Sequence, residues 1–404
     1  MKRLNRKWVA AAAAAVAGIA LAACSSSGTG GSGGSTTPAG SAPPPAGSTA
    51  PAGGGTTPSG PATNVTLQLQ WVTQAQFAGY IAALKKGFYQ QQGLNVNIVP
   101  AGTDTVPQLT VDNGGSADYA IAWVPKALQS REAGANITDV GQVFQRSGTL
   151  QISFKKNNIT SVTDLKGKTV GDWGFGNEYE LFAGMTKAGL DPGKDVKIVK
   201  QDFDMNAFLA GDIDAAQAMI YNEYAQVLEA KNPATGKLYQ PSDLNMINWN
   251  DDGTAMLQDS IWANTTKLKD PAFQATTVKF LTASYQGWIY CASNPTDCRD
   301  MVVQAGSKLG ASHQLWQTNE VNKLIWPSPQ GIGMVDTAAW NRTVTIAEHT
   351  KNADGKTVLK GKPTGEAYTN EFTQKALANL KSMKLDTTGA NFKPITVKLN
   401  PGGS

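Results

Sequence analysis

The chain has 404 residues, with 35 Lys plus Arg, 31 Asp plus Glu, 2 His and 3 Cys. That length supports two or three domains with sizeable cores. Lys2, Arg3, Arg6 and Lys7 account for the whole positive excess, so the remainder is neutral and lacks the basic footprint of a nucleic-acid binder or a polybasic membrane-surface protein. His313 and His349 are too few for a histidine-built catalytic or metal centre, and both are expected at the surface or the core edge.

Met1 to Lys7 is a cationic leader, and Val9 to Leu21 is an apolar run too short to span a bilayer comfortably. Residues 1–23 therefore read as a secretory signal peptide. The run ends in Leu21-Ala22-Ala23-Cys24, similar to a bacterial lipobox, which makes Cys24 the expected lipidated N-terminus. Ser25 to Thr63 consists of Ser, Gly, Thr, Pro and Ala alone. Such composition cannot offset the entropy of ordering, so residues 24–63 form a lipidated tether spanning roughly 35 Å on average. This places the protein on the extracytoplasmic face of a bacterial cell membrane.

The body alternates strands and helices. Val65 to Trp71 has period-two alternation, Phe77 to Tyr89 has helical spacing, and Leu94 to Val99 reads as the next strand. A second unit runs from Gly167 to Trp173, through a helix at about Glu178 to Lys187, to a strand at Val196 to Val199. Gly115-Ser116-Ala117-Asp118 and Gly211-Asp212-Ile213-Asp214 each precede a small, apolar strand and form an internal echo. Pro271 to Tyr290 is the longest helical stretch of a mostly helical C-terminal part. Cys291 and Cys298 close a short loop containing Asn294-Pro295. In an exported protein they are expected to form a disulfide contributing roughly 2–3 kcal/mol; zinc would need two further ligands that no neighbouring Cys or His supplies. The text implies an α/β fold with parallel-rich sheets flanked by helices.

Several segments together carry a family resemblance. They are W-V-T-Q-A-Q-F-A-G-Y-I-A-A-L-K-K-G-F-Y-Q-Q-Q-G-L-N-V from Trp71, D-L-K-G-K-T-V-G from Asp164, the G-D-I-D-A turn, Y-N-E-Y from Tyr221, W-N-D-D-G-T-A-M-L-Q-D from Trp249, Gly287-Trp288 and Asn294-Pro295. Over about Val65 to Thr350 the chain resembles substrate-binding lipoproteins of ABC importers, in the thiamine-pyrimidine-precursor and nitrate–sulfonate–taurine binding superfamily. The resemblance implies a two-lobed periplasmic-binding-protein-like fold of type II with a hinge. Lobe one is expected at 64–154 plus 262–404 and lobe two at 155–261, with crossings near Leu150–Phe154 and Asp259–Trp262. It also implies a monomer without a cofactor, a small-molecule ligand and an ABC permease as partner.

In open parallel sheets the ligand crevice lies beyond the carboxyl ends of the strands. Four turns end there: Trp71 with Gln74 and Phe77; Trp123; Trp173 with Asn177 and Glu178; and Tyr221-Asn222-Glu223. Aromatic faces with amides and acids suit a flat heterocycle, while Trp288, Trp316, Trp326 and Trp340 are assigned to packing. No Arg or Lys accompanies Glu178 in its turn, and like charges 4 Å apart repel by about 4 kcal/mol at a dielectric near 20. The expected guest is therefore an aminopyrimidine-like ring rather than an anion. The resemblance supports Glu223, since Asn222-Glu223 falls where pyrimidine-precursor binders carry a contacting acid.

Riboflavin-like ligands or a small sulfonate or nitrate are alternatives, as is a tethered sensor. A pyrimidine-synthesising enzyme on the same fold would require a histidine where Phe77-Ala78-Gly79 has phenylalanine, and a cysteine cluster. Gly174-Phe175-Gly176 lacks the third glycine and the basic residue of a phosphate loop. No catalytic or metal-ligating residue is expected.

Overall fold

The computed structural model describes residues 60–102 and 105–404, all within one compact unit. The signal peptide, Cys24 and nearly all of the tether lie outside the described residues.

Among the described residues, ten strands form two five-stranded sheets. The first contains β1 (Thr63–Gln68), β2 (Leu94–Val99), β3 (Tyr119–Ala122), β4 (Ile137–Gln142) and β10 (Ser260–Asn264), in the order β2-β1-β3-β10-β4. The second contains β5 (Thr149–Phe154), β6 (Thr169–Asp172), β7 (Lys197–Lys200), β8 (Ala215–Met219) and β9 (Leu244–Asn248), in the order β7-β6-β8-β5-β9. β1 runs parallel to β2 and β3, as β6 does to β7 and β8. The fourth strand of each sheet, β10 or β5, is antiparallel to both neighbours. The sheets thus share one plan, and each takes its antiparallel strand from chain that has just crossed from the other.

The crossings differ from expectation. All six residues of β5 are buried, and the strand is hydrogen-bonded on both sides within the second sheet. Leu150–Phe154 therefore belongs wholly to the second sheet, and the first crossing precedes it, between Gln142 and Thr149. The return lies between Asn248 and Ser260, and β10 belongs to the first sheet. Residues 149–154 and 260–261 are thus on the opposite side from the expected boundaries. An apolar strand buried on both faces looks the same in sequence whichever sheet contains it.

The internal echo has a structural cause. The Asp118 carboxylate accepts from the Thr66 N–H at 2.9 Å, and its own N–H donates to the Thr66 carbonyl at 3.0 Å. Asp214 and Thr169 form the same pair at 2.9 and 2.9 Å. In each sheet an aspartate fastens the third parallel strand to the first just before pairing begins, fixing the register that brings their carboxyl ends level.

Helices supply the remaining cover. Pro271–Ser293 begins with Asp270 capping the Ala272 N–H at 3.1 Å and Pro271 in the first turn. It packs on Ala78–Lys85 where glycines meet: a Cβ on Gly287 would lie 2.0 Å from the Gly79 carbonyl oxygen. Cys291 and Cys298 form a disulfide, with Cα atoms 5.5 Å apart, across the junction to the helix Pro295–Gln304. Trp288, Trp326 and Trp340 are buried, and Trp316 packs against the core of the second sheet.

Candidate ligand-binding site

In the first sheet the chain steps from β1 outward to β2 and then crosses back past β1 to β3, and in the second it steps from β6 to β7 and crosses back past β6 to β8. Such reversals open a crevice beyond the strand ends. A chamber lies there. Gln70, Trp71, Gln74 and Gln76 follow β1; Trp123 and Lys126 follow β3; Trp173 and Asn177 follow β6; Met219 ends β8, and Tyr221, Asn222 and Glu223 follow it. Of the residues singled out in sequence, Trp71, Gln74, Trp123, Trp173, Asn177, Tyr221, Asn222 and Glu223 meet at this chamber.

Phe77 and Glu178 do not line it. Phe77 ends a 3-10 turn, Ala75–Phe77, and is fully buried in the hydrophobic core. That turn directs Gln74 and Gln76 to the chamber instead. Glu178 precedes the helix Tyr179–Lys187 and accepts from the Gly176 N–H at 2.9 Å, which holds its carboxylate against its own loop.

Gln70, Gln76, Lys126 and Met219 were not anticipated. Lys126, from the first helical turn after β3, brings the chamber a cation that the Glu178 turn itself lacks: its Nζ donates to Asn177 Oδ1 at 3.2 Å and lies 5.7 Å from the Trp123 ring. Burial pushes its ammonium down to about 8, against the pull of Glu178 and Asp259.

Asp259 organises the wall from behind. Its Oδ1 accepts from Gln70 Nε2 at 2.6 Å and Trp123 Nε1 at 2.8 Å, and its Oδ2 accepts from Gln76 Nε2 at 2.9 Å. Gln76 in turn accepts from Gln74 at 2.7 Å. Glu223 accepts from the Met219 N–H at 2.9 Å and from Asn222 Nδ2 at 2.7 Å, yet two carboxylate oxygens retain further acceptor capacity. Burial pushes Glu223 and Asp259 each up to about 7, so both titrate near neutrality.

Two polar atoms of the wall have no partner among the described residues: Gln70 Oε1, an acceptor, and Trp173 Nε1, a donor. Both residues are at least nine-tenths buried, where an unmet polar group costs about 1–3 kcal/mol. With the indoles of Trp71, Trp123 and Trp173, the Glu223 carboxylate and the Lys126 ammonium, the chamber can hold a planar polar guest by its faces and read its edge.

A family model described as NMT1/THI5 like matches residues 74–298, more than half of the chain. The chain belongs to the NMT1/THI5-like family. A putative thiamine biosynthesis protein of Haemophilus influenzae is 30% identical over 153 residues, 37% of this chain and 48% of that protein. The chain thus spans about half the length of that relative. The riboflavin-binding protein RibY of Chloroflexus aurantiacus is 27% identical over 323 residues, 76% of this chain and 85% of its own length. A 4-amino-5-hydroxymethyl-2-methylpyrimidine phosphate synthase of Schizosaccharomyces pombe is 24% identical over 185 residues, 45% of this chain and 52% of the synthase. Among solved structures, the alkanesulfonate-binding protein SsuA of Xanthomonas axonopodis pv. citri superposes with a TM-score of 0.53 at 17% identity, covering 72% of this chain and 93% of that one. The fold of this NMT1/THI5-like chain is that of the periplasmic binding proteins, α/β with two parallel-rich sheets.

Proposed function

We propose that this protein is the extracytoplasmic solute-binding component of an ABC importer. It takes a planar nitrogen heterocycle of aminopyrimidine type into the chamber and delivers it to a membrane permease. The observation that carries the reading is the chamber wall itself. Three indoles surround an orphaned acceptor, Gln70 Oε1, an orphaned donor, Trp173 Nε1, and the Glu223 carboxylate. A ring with adjacent amino and ring-nitrogen groups offers both the donor and the acceptor that these atoms lack. Relatives named for riboflavin binding and for thiamine biosynthesis support a heterocycle of this kind.

Two lobes, one around each sheet, would hinge through 143–148 and 249–259 and close over the guest. Cys24 as a lipid anchor and residues 25–63 as a tether would hold the binder close to its permease and raise its local concentration. Binding rather than synthesis is supported by Phe77, which occupies the place where the synthases of this fold require a histidine and is itself part of the core.

Calorimetry of the full chain in detergent with 4-amino-5-hydroxymethyl-2-methylpyrimidine tests the reading. Binding is expected, and Glu223→Gln should weaken it by about 10- to 100-fold, the worth of a hydrogen bond to a charged group. Absence of binding, or an unchanged affinity in the variant, would remove the ring or the residue respectively.

A further inference from the structure

Residues 392–404 lie across both halves of the fold. From 392 to 400 they form neither helix nor strand, yet this stretch is held at both ends. Phe392 packs against the core of the first sheet, and Leu399 packs against the core of the second. We propose that residues 392–404 are a strap that latches the two halves in the closed state, so that its release governs opening of the chamber. The proposal rests on the two-lobe reading above and names a contact that opening must break.

The middle of the strap is tied to the helix Ala311–Ile325. The Ile395 N–H donates to Asn319 Oδ1 at 2.8 Å, and the Asn400 N–H donates to Ser312 Oγ at 3.1 Å. Val321, Leu324 and Ile325 root that helix in the core of the first sheet. Past Leu399, the 3-10 turn Pro401–Gly403 reaches the helix Glu223–Glu229 of the second half. A Cβ on Gly403 would lie 3.0 Å from Glu229 Oε2 and 3.0 Å from His313 Cβ, and one on Gly310 would lie 2.5 Å from the Gly403 carbonyl oxygen. Gly402 and Gly403 have φ of +68° and +78°, which glycine adopts without steric cost. The strap thus inserts bare backbone where a helix of one half meets a helix of the other.

It ends on the same helix that begins at the chamber. Asn222 and Glu223 line the chamber at one end of Glu223–Glu229, and Glu229 meets the strap at the other. Asn222 Oδ1 faces His313 Nε2 at 2.9 Å, Glu229 faces His313 Nδ1 at 3.0 Å, and Trp316 Nε1 donates to the Ile220 carbonyl at 3.0 Å. These bonds join Ala311–Ile325 to the second half, and hinging through 143–148 and 249–259 would draw them apart. With the strap in place, opening must also lift Leu399 from its core or strip Ile395 and Asn400 from their acceptors. An irregular segment stays ordered only where contacts offset its lost entropy, and contacts of this kind set the free energy of sub-global opening.

Hydrogen exchange of the ligand-free full chain in detergent, read by mass spectrometry, tests this. Leu399→Ser removes the hold on the second core. Ser312→Ala removes the acceptor of the Asn400 N–H, and Ser312→Thr keeps it. Two segments separate a latch from a local cover. Residues 223–229 lie against the strap, whereas 174–187 meet the first half elsewhere: the Tyr179 hydroxyl donates to Gln129 Oε1 at 2.6 Å, and Thr186 Oγ1 accepts from the Lys351 N–H at 3.3 Å. Leu399→Ser should speed exchange about tenfold in both segments, equivalent to about 1.4 kcal/mol of opening. Ser312→Ala should speed both by about threefold, the scale of one hydrogen bond, and Ser312→Thr should stay within about twofold of the parent. Faster exchange confined to 223–229 would reduce the strap to a cover and overturn the latch, as would unchanged exchange in both segments. The readout needs no ligand, so either failure leaves the heterocycle reading intact, and failure of the aminopyrimidine to bind in calorimetry would leave the latch standing. Ser312→Ala keeps the test decisive should Leu399→Ser not fold.

Discussion

Trp123 donates its indole N–H to Asp259 Oδ1 across 2.8 Å, and that bond joins the chamber wall to the segment by which the chain returns to the first sheet. The Asp259 carbonyl accepts from the N–H groups of Val143 and Phe144 at 3.2 and 3.1 Å, on the outgoing segment. One residue therefore touches both crossings while its carboxylate orients Gln70, Gln76 and Trp123. Asp259→Asn places an amide donor where Gln76 or Trp123 already donates. The expected result is a loss of about 1–3 kcal/mol in urea unfolding, together with weaker ligand binding in calorimetry. A variant as stable and as tight as the parent would show that the hub is dispensable.

Stability should fall as pH rises from about 4.5 to 7. Burial pushes Asp139, Asp172, Glu180, Glu223 and Asp259 each up to about 7. Between their ordinary values and 7 the folded state binds more protons than the unfolded chain, so the stability contributed by protonation is present at lower pH and lost on the way up. Asp164 acts oppositely. Hydrogen bonds, first that from the Thr160 N–H, hold it at about 2, so its contribution is complete above about 4 and lost below. Scanning calorimetry without ligand should therefore find a higher Tm at pH 5 than at pH 7.5. Glu180→Gln should shallow that slope, since Glu180 lies buried against the Met256 N–H and the Ser147 hydroxyl. A flat or rising profile between pH 5 and 7 would contradict these shifts.

What was legible in the sequence follows from locality. The Asp118 and Asp214 echo could be seen because each aspartate bonds a strand in a fixed place relative to its own turn, and the four site turns because parallel strands must end together. Sheet membership of β5 was not legible, since its partners β8 and β9 are set by distant chain. Lys126 reads in sequence as an ordinary helix-surface cation; only the approach of Asn177 makes it part of the chamber. Asp259 lies 136 residues from Trp123, and no periodicity connects them. Gln70 and Gln76 stand among other polar residues, Gln68, Thr73 and Gln74, so nothing in the sequence alone singles them out. His313, expected at the surface or core edge, is fully buried, with Glu229 and Asn222 meeting its two ring nitrogens.

The glycine contact between Ala78–Lys85 and Pro271–Ser293 should be intolerant of added methyl groups. A Cβ on Gly79 would fall 2.2 Å from Trp288 Cδ2, and one on Gly287 would fall 2.0 Å from backbone oxygen. Gly79→Ala is expected to cost about 1–3 kcal/mol through displacement of the buried indole. Gly287→Ala should cost more, because a helix and not a side chain must move. Urea midpoints at unchanged m-value measure both. A smaller penalty at Gly287 than at Gly79 would indicate that the helices slide more easily than Trp288 reorients.

A buried polar chain links the chamber through Asn222 and His313 to Glu229, and its integrity should govern affinity. Asn222 donates to Glu223 at 2.7 Å, which leaves its Oδ1 facing His313 Nε2 at 2.9 Å. His313 Nδ1 is 3.0 Å from both Glu229 carboxylate oxygens. Both ring nitrogens thus face acceptors, and the imidazole fixes which end of the Asn222 amide points at Glu223. His313→Ala removes a hydrogen-bond partner of a buried carboxylate and should cost about 1–3 kcal/mol. His313→Gln retains a group able to donate toward Asn222, so it should recover part of the stability. The distinguishing readout is binding of the aminopyrimidine to the variants that remain folded. If His313 acts by orienting Asn222, Asn222→Ala and His313→Gln combined should weaken binding no more than Asn222→Ala alone, a non-additivity expected of residues acting in series. Additive losses would mean that His313 supports the fold without directing the site.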